Sequence, residues 1–259
     1  MSNRVKERLK QGLPTVGTWI NLPEPAVAEI LAAYGMDWLV IDTEHGPMDW
    51  ETVENLLRAM KGTEVVPLIR VAGNDPFLIK KALDRGAMGI LVPMVNSAEE
   101  ARAAVAAAKY PPEGFRGMAG TRASRYGLDM ESYVESWNRD VLVVIQVETR
   151  AGLEHVESIA AVPGVDVLFV GPNDLSASLG IFRQYDHPLF QDAVRRIRDA
   201  ARACGVAPGY MGRDAASVLA KVDEGFTFIA AGTDVGLLKE AASATYRAIR
   251  QGLQDRRLL

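Results

Sequence analysis

Short apolar runs alternate with longer stretches of helical period along nearly the whole chain. TVGTWINL (15–22) reads as a strand, and PAVAEILAAYG after it as a helix ending in glycine. The couple then recurs. DWLVIDTEH (37–45) precedes DWETVENLLRAMKG, VVPLIRVA (65–72) precedes DPFLIKKALDRG, and MGILVPMV (88–95) precedes SAEEARAAVAAAKY. VLVVIQVET (141–149) precedes GLEHVESIAAVPG, and VDVLFVGPND (165–174) leads through a longer connection to PLFQDAVRRIRDAARACG. VAPGYM (206–211) precedes DAASVLAKVDEG, and FTFIAAGTD (226–234) precedes VGLLKEAASATYRAIRQGL. Asp75 and Pro76 supply an N-cap and first-turn pair, and Ser97 with Glu100 a capping box.

Eight strand–helix units result. Continuous Val/Ile/Leu runs mark strands buried on both faces, hence a parallel sheet. Eight such units in 259 residues is the count of a (β/α)8 TIM barrel, expected as one domain over 1–259. The rival is a doubly wound open sheet, but no GxGxxG follows the first strand. One segment breaks the rhythm: YPPEGFRGMAGTRASRYGLDMESYVESWNRD (110–140) has no strand-like run and reads as a long functional loop. It starts on the face away from its own barrel mouth, within reach of a neighbouring subunit. The final helix runs on through ATYRAIRQGLQDRRLL and offers a second contact surface.

Composition narrows the partners. A chain 48% hydrophobic and 24% charged is an ordinary globular protein. A net charge of -4 argues against nucleic acid, whose phosphates want a basic face. No apolar run is long enough to span a membrane, and MSNRVKERLKQGLPTVG lacks the apolar stretch of a signal peptide. The cytoplasm is the default compartment. The single cysteine, Cys204, excludes an internal disulfide and reads as buried packing at a helix end.

In a TIM barrel the active site forms at the C-terminal ends of the strands. Those ends carry Asp42, Glu44 and His45; Arg70; Gln146 and Glu148; Asn173 and Asp174; Tyr210 and Met211; Thr233 and Asp234. Gln146 and Glu148 are two apart, so they share one strand face. A carboxylate leaving an apolar run needs a partner, a proton or a metal. Glu148 and Asp174, on adjacent strands, suit Mg²⁺ or Mn²⁺ better than zinc; an ion pair with a nearby arginine is the alternative. Arg70 suits a substrate carboxylate, or serves as a structural partner for Glu44 or Asp42. His45 precedes Gly46-Pro47 and suits general base work, or is a satisfied structural histidine. His155 and His187 read as surface residues, and Asp84 as an outward, solvated charge. The turn Gly171–Asp174 exposes N–H groups of Asn173, Asp174 and Leu175 to an anion.

Six stretches together resemble the HpcH/HpaI aldolase family of class II pyruvate aldolases: DTEHGP (42–47), PLIRV (67–71), YPPEGFRG (110–117), RASRYG (122–127), QVET (146–149) and VGPNDLSASLG (170–180). Each is weak alone; their order and spacing are specific over about residues 5–250. The branch resembled is that of 4-hydroxy-2-oxoheptanedioate and 2-dehydro-3-deoxy-sugar-acid aldolases. The resemblance implies that Glu148 and Asp174 bind the divalent metal (Mg²⁺, Mn²⁺ or Co²⁺), and that Arg70 binds the 2-oxo acid and stabilises the enolate. It further implies that Gln146 lines the pyruvate pocket, that His45 works with a metal-bound water, and that Asp84 reaches a neighbour's site to orient that histidine. It implies a hexamer, a trimer of dimers, with the last helix exchanged between subunits.

No predicted strand carries a lysine, so a Schiff-base aldolase has no candidate nucleophile. Trp19, Met211 and the 116–126 loop are candidates for aldehyde selection, with Trp19 as core filler the alternative. PGYMGRD departs from the more aliphatic segment common in the family and leaves the aldehyde open, as it does the choice of pyruvate or hydroxypyruvate. A CoA-thioester lyase of the same superfamily is the rival enzyme, with Arg116, Arg122 and Arg125 as a basic groove. A non-catalytic acid-binding barrel is a third reading, opposed by the retained set His45, Arg70, Glu148 and Asp174.

Overall fold

The computed structural model describes residues 2–258. Eight strands form a closed parallel barrel in sequence order: β1 Thr15–Ile20, β2 Trp38–Asp42, β3 Val66–Arg70, β4 Gly89–Val92, β5 Leu142–Val147, β6 Val167–Val170, β7 Ala207–Gly212 and β8 Phe228–Thr233. Seven fall inside their predicted runs, β7 ends one residue beyond its run at Gly212, and β1 pairs with β8 to close the ring. The GxGxxG-less open sheet is thereby excluded.

Two apolar cores follow from the period-two alternation of strand side chains. One set, including Ile41, Ile69, Ile90, Val143, Ile145 and Leu168, packs outward against the helices. The other fills the lumen: Trp19, Trp38, Val40, Leu68, Leu91, Val144, Phe169 and Phe228. Trp38 and Phe228 stack with centroids 4.1 Å apart. A Cβ on Gly17 would overlap the Trp38 indole, so a glycine on β1 makes room for the largest lumen side chain.

The N-terminal helix Arg4–Lys10, which sequence patterning left unassigned, plugs the barrel floor. Val5 and Leu9 join the lumen core. Lys6 Nζ donates to the Val141 carbonyl at 2.6 Å and pairs with Asp166 at 3.0 Å. Burial pushes the Lys6 amine down and the Asp166 carboxyl up, with their mutual attraction opposing both shifts.

Several expectations need correction. The 110–140 segment is not a structureless loop: it contains a 3-10 turn, Arg122–Ser124, and the helix Met130–Asp140. That helix is amphipathic and buries Trp137, whose Nε1 donates to the Ala108 carbonyl at 2.8 Å. GLEHVESIAAVPG forms two short helices, Arg150–Glu154 and Val156–Ala160. Ser97 caps Glu100 N–H as expected, but the Glu100 carboxylate takes the Asn96 N–H rather than closing the box. Cys204 is exposed at a helix C-terminus, not buried. His155 and His187 are exposed as predicted.

Candidate active site

The lumen-facing positions of three strands stay apolar until their C-terminal ends. Trp38 and Val40 on β2 lead to Asp42; Val66 and Leu68 on β3 lead to Arg70; Leu142 and Val144 on β5 lead to Gln146 and, just beyond the strand, Glu148. Side chains two apart share a face, so the same parity that fills the lumen delivers these polar groups to its mouth.

Asp42 and Arg70 are register partners on neighbouring strands. Arg70 Nε donates to Asp42 Oδ1 at 2.9 Å and Nη2 to Oδ2 at 2.5 Å, a bidentate fork. Arg70 Nη1 lies 2.9 Å from Glu44 Oε2 in an ion pair, although that oxygen accepts no aligned hydrogen bond. Arg70 thus bridges both acids named as its structural partners while standing at the mouth. Its guanidinium sits 6.0 Å from the Trp19 ring centroid.

Asp42 organises the turn after β2. It accepts the backbone N–H groups of Glu44 at 3.1 Å and His45 at 3.2 Å, and the Asn21 amide at 2.8 Å. Burial pushes the Asp42 carboxyl up, but the Arg70 hydrogen bonds and charge outweigh it and hold the group below its ordinary value. Burial raises Glu44, opposed by Arg70 and His45 and reinforced by Asp42 and Asp174. His45 is held by its backbone with its side chain exposed at the rim.

Glu148 is 2% exposed. Its Oε1 accepts the Met94 N–H at 2.8 Å, and its Oε2 accepts from the Gln146 amide. Burial pushes the Glu148 carboxyl up; these two hydrogen bonds oppose it, and the charges of Asp174 and Glu44 push it further. The other amide atom, Gln146 Oε1, is buried with no partner. Gly171 is required by this arrangement, because a Cβ there would collide with Glu148 Oε2 and lie 2.8 Å from Gln146 Nε2. Asn173 and Asp174 are exposed in the first turn of the helix Pro172–Ser178. Leu175 N–H is not a free donor, as it bonds the Gly171 carbonyl at 2.9 Å.

Trp19 is lumen packing, with Phe169 at 5.2 Å and Trp38 at 5.8 Å, and forms the floor beneath Arg70. Met211, half-buried, packs on the same cluster. Asp84 does not join the site of its own chain. It ends the helix Pro76–Asp84, on the side where strands begin, and pairs with Arg116 at 2.8 Å. It is therefore not a freely solvated charge. Arg116 is buried among Tyr110, Tyr133 and Trp137, 4.7, 5.6 and 4.5 Å from their centroids. Arg122 donates to the Arg85 carbonyl and Arg125 pairs with Asp129, so these arginines make no basic groove at this chain's mouth. A cavity of about 1110 Å³ lined by Arg58, Met88, Arg122 and Trp137 lies at that same far end, remote from Glu148.

The donor set fits a hard divalent cation. The Asp174 charge raises the cost of ionising Glu148, which a cation would offset, and the buried, unpartnered Gln146 Oε1 lies beside them. Among the described residues no group of three or more His, Cys, Asp or Glu forms a cage. Two carboxylates can hold a divalent cation whose remaining positions are completed by water and substrate.

Sequence reasoning missed Asn21, Phe169, Met94 and Asn96 as contributors. Phe169 had a signal, since counting by two from Val167 along VDVLFV puts it on the lumen face. Met94 had none: its backbone is left-handed, with φ of 56°, which methionine does not announce.

Residues 15–241 match the model of the HpcH/HpaI aldolase/citrate lyase family. A hydroxypyruvate/pyruvate aldolase of Paraburkholderia phytofirmans is 42% identical over 261 residues, covering 98% of this chain and 97% of that protein. A 4-hydroxy-2-oxo-heptane-1,7-dioate aldolase of Salmonella dublin is 41% identical over 246 residues, covering 94% and 93%. The crystal structure of an HpcH/HpaI aldolase/citrate lyase family protein from Burkholderia cenocepacia J2315 is similar with a TM-score of 0.90 at 39% identity, covering 99% of this chain and 100% of that one. With its closed barrel, its acid-rich mouth and similarity along nearly its whole length, the chain belongs to the HpcH/HpaI aldolase/citrate lyase family, whose named activities break carbon–carbon bonds.

Proposed function

We propose that the chain is a divalent-metal-dependent class II aldolase. It cleaves 4-hydroxy-2-oxo acids, reversibly, to an aldehyde and pyruvate or a related 2-oxo acid such as hydroxypyruvate. The observation that carries this reading is the buried Glu148 beside the unpartnered Gln146 oxygen, on the same rim as a preorganised Arg70.

Glu148 and Asp174 would hold Mg²⁺, Mn²⁺ or Co²⁺. When bound, such an ion orients the 2-oxo acid and supplies positive charge against the enolate oxygen. Arg70 supplies a second charge at that oxygen, and the Asp42 fork fixes it before substrate arrives, so little reorganisation accompanies the reaction. Gln146 lines the pocket for the 2-oxo acid, and the Gly171–Asn173 turn admits it. His45, at the rim, handles the proton of the 4-hydroxyl. In cleavage that hydroxyl loses its proton, the C3–C4 bond breaks, C4 leaves as the aldehyde, and the electron pair remains as the enolate. A proton returned to C3 completes the 2-oxo acid. None of the eight strands carries a lysine, which leaves a Schiff base no anchor there. Trp19 and Met211 shape the space for the aldehyde.

The working unit is read as a hexamer, a trimer of dimers, of single-domain cytoplasmic subunits. The helix Asp234–Asp255 supports an exchanged last helix, because it leaves its own barrel with Leu238, Tyr246 and Ile249 exposed. No described helix is long and apolar enough to cross a membrane. Asp84, partly exposed beside Arg116, is read as serving His45 of a neighbouring subunit.

The test strips the protein with EDTA and follows pyruvate release from a panel of 4-hydroxy-2-oxo acids. Activity is expected to vanish, to return with Mg²⁺, Mn²⁺ or Co²⁺, and to stay absent in Glu148→Ala. Activity that survives EDTA unchanged would sink the metal reading.

A further inference from the structure

The segment after β4 is held in an unusual conformation by side chains outside the catalytic set. Met94 is a non-glycine residue at φ 56°, a region such residues rarely occupy. Its N–H meets Glu148 Oε1 at 2.8 Å. Its carbonyl accepts the Asn96 side-chain amide at 2.8 Å. The other end of that amide, Asn96 Oδ1, accepts from the Thr149 hydroxyl, and Thr149 directly follows Glu148. The Asn96 N–H is itself fixed on the Glu100 carboxylate at 2.6 Å. A closed loop results: Glu148 to Met94, Met94 to Asn96, Asn96 to Thr149, and back along the chain to Glu148.

We propose that Asn96 is a positioning residue, which locks Met94 in its left-handed conformation so that the Met94 N–H fixes the Glu148 carboxylate for metal binding. This rests on the reading of Glu148 as a metal ligand. The reasoning is local. Glu148 has two oxygens and two protein donors, Met94 and Gln146, so losing one frees the carboxylate to rotate. A main-chain donor is the stiffer of the two, but only if the peptide is held at the unfavoured φ. Asn96 is placed to do that because one planar amide ties the Met94 carbonyl to Thr149. It is not needed as the helix cap, a role that Ser97 already fills. Partners in the shell behind a metal ligand typically matter by about 10- to 100-fold in affinity or activity.

Mn²⁺ binding to the metal-free full-length protein, read by electron paramagnetic resonance titration, tests this with circular dichroism and melting as folding controls. Asn96→Ala is expected to weaken Mn²⁺ binding about tenfold. Met94→Val, whose branched side chain resists positive φ, should do the same. Adding Met94→Asn, a residue that tolerates this φ, should restore binding to Asn96→Ala. Wild-type Mn²⁺ affinity in folded Asn96→Ala and Met94→Val would overturn the proposal. Glu148→Gln separates the two levels. If it loses Mn²⁺ while Asn96→Ala keeps it, only the positioning role fails. If it binds Mn²⁺ normally, the metal reading itself has failed and takes this proposal with it.

Discussion

Arg70 grips Asp42 through two parallel hydrogen bonds, Nε to Oδ1 at 2.9 Å and Nη2 to Oδ2 at 2.5 Å, across the register pair that joins β3 to β2. The fork turns a long, mobile cation into a fixed one at the barrel mouth. Its third nitrogen reaches Glu44 at 2.9 Å, so two acids share one guanidinium. Both acids lie on β2 or the turn after it, and so Arg70 also ties the His45 turn to the barrel.

Arg70→Lys keeps the charge and loses the fork. We expect kcat for pyruvate release to fall by about 100-fold or more, the scale of losing one preorganised oxyanion donor. Steady-state kinetics on a 4-hydroxy-2-oxo acid would check this. A variant within a few fold of wild type would mean that Arg70 is structural only.

The Asp42 carboxyl is held below its ordinary value of 3.8, chiefly by Arg70 working against burial. A group depressed in this way contributes stability above its unfolded value and loses it as pH falls through the folded one. The stability gap between wild type and Asp42→Asn should therefore stay constant from about pH 7 to 5 and shrink below about pH 4. Urea midpoints across that range measure it. A gap that widens in acid would contradict the assignment.

Glu148 has the opposite sign. Burial first, then Asp174 and Glu44, raise it above 4.5. Between 4.5 and the raised value the folded state binds more protons, so stability of the metal-free protein declines as pH rises through that window. Replacing the charge should relieve the cost. Glu148→Gln is expected to raise the melting temperature of the metal-free protein by about 2 °C, near 1 kcal/mol, while abolishing Mn²⁺ binding and turnover. Calorimetry beside a metal titration reads both; a lower melting temperature would refute the first half.

Gly171→Ala places a methyl group against Glu148 Oε2 and 2.8 Å from Gln146 Nε2. Overpacking of this kind costs about 1–3 kcal/mol, and here it also displaces both site side chains. Stability and activity should fall together. Normal turnover in Gly171→Ala would show that the carboxylate can move without harm.

Much of this molecule was legible along the chain because strand parity is a local rule. Runs such as VLVVIQVE state both where a strand lies and which face its last polar residues share, so the eight strands and the rim set of Asp42, Arg70, Gln146 and Glu148 follow from counting by two. Amphipathic segments interrupted by glycines in 110–140 obeyed no such repeat, and the helix Met130–Asp140 there depends on burying Trp137 against a distant carbonyl. Arg4–Lys10 was hidden for a related reason: a short charged helix gains its stability from the lumen that receives Val5 and Leu9, not from its own propensity.

The sequence by itself determined the strand count, the parity of each strand and hence which polar residues could meet at one end of a barrel. Only the tertiary structure decided who holds whom. Arg70 divides itself between Asp42 and Glu44, Arg116 and not solvent takes Asp84, and Met94 gives Glu148 its main-chain donor. Those pairings depend on backbone dihedrals and on angstrom-scale distances between residues far apart in the chain. A residue type fixes what a side chain is able to bond; packing fixes which of several eligible partners is within reach.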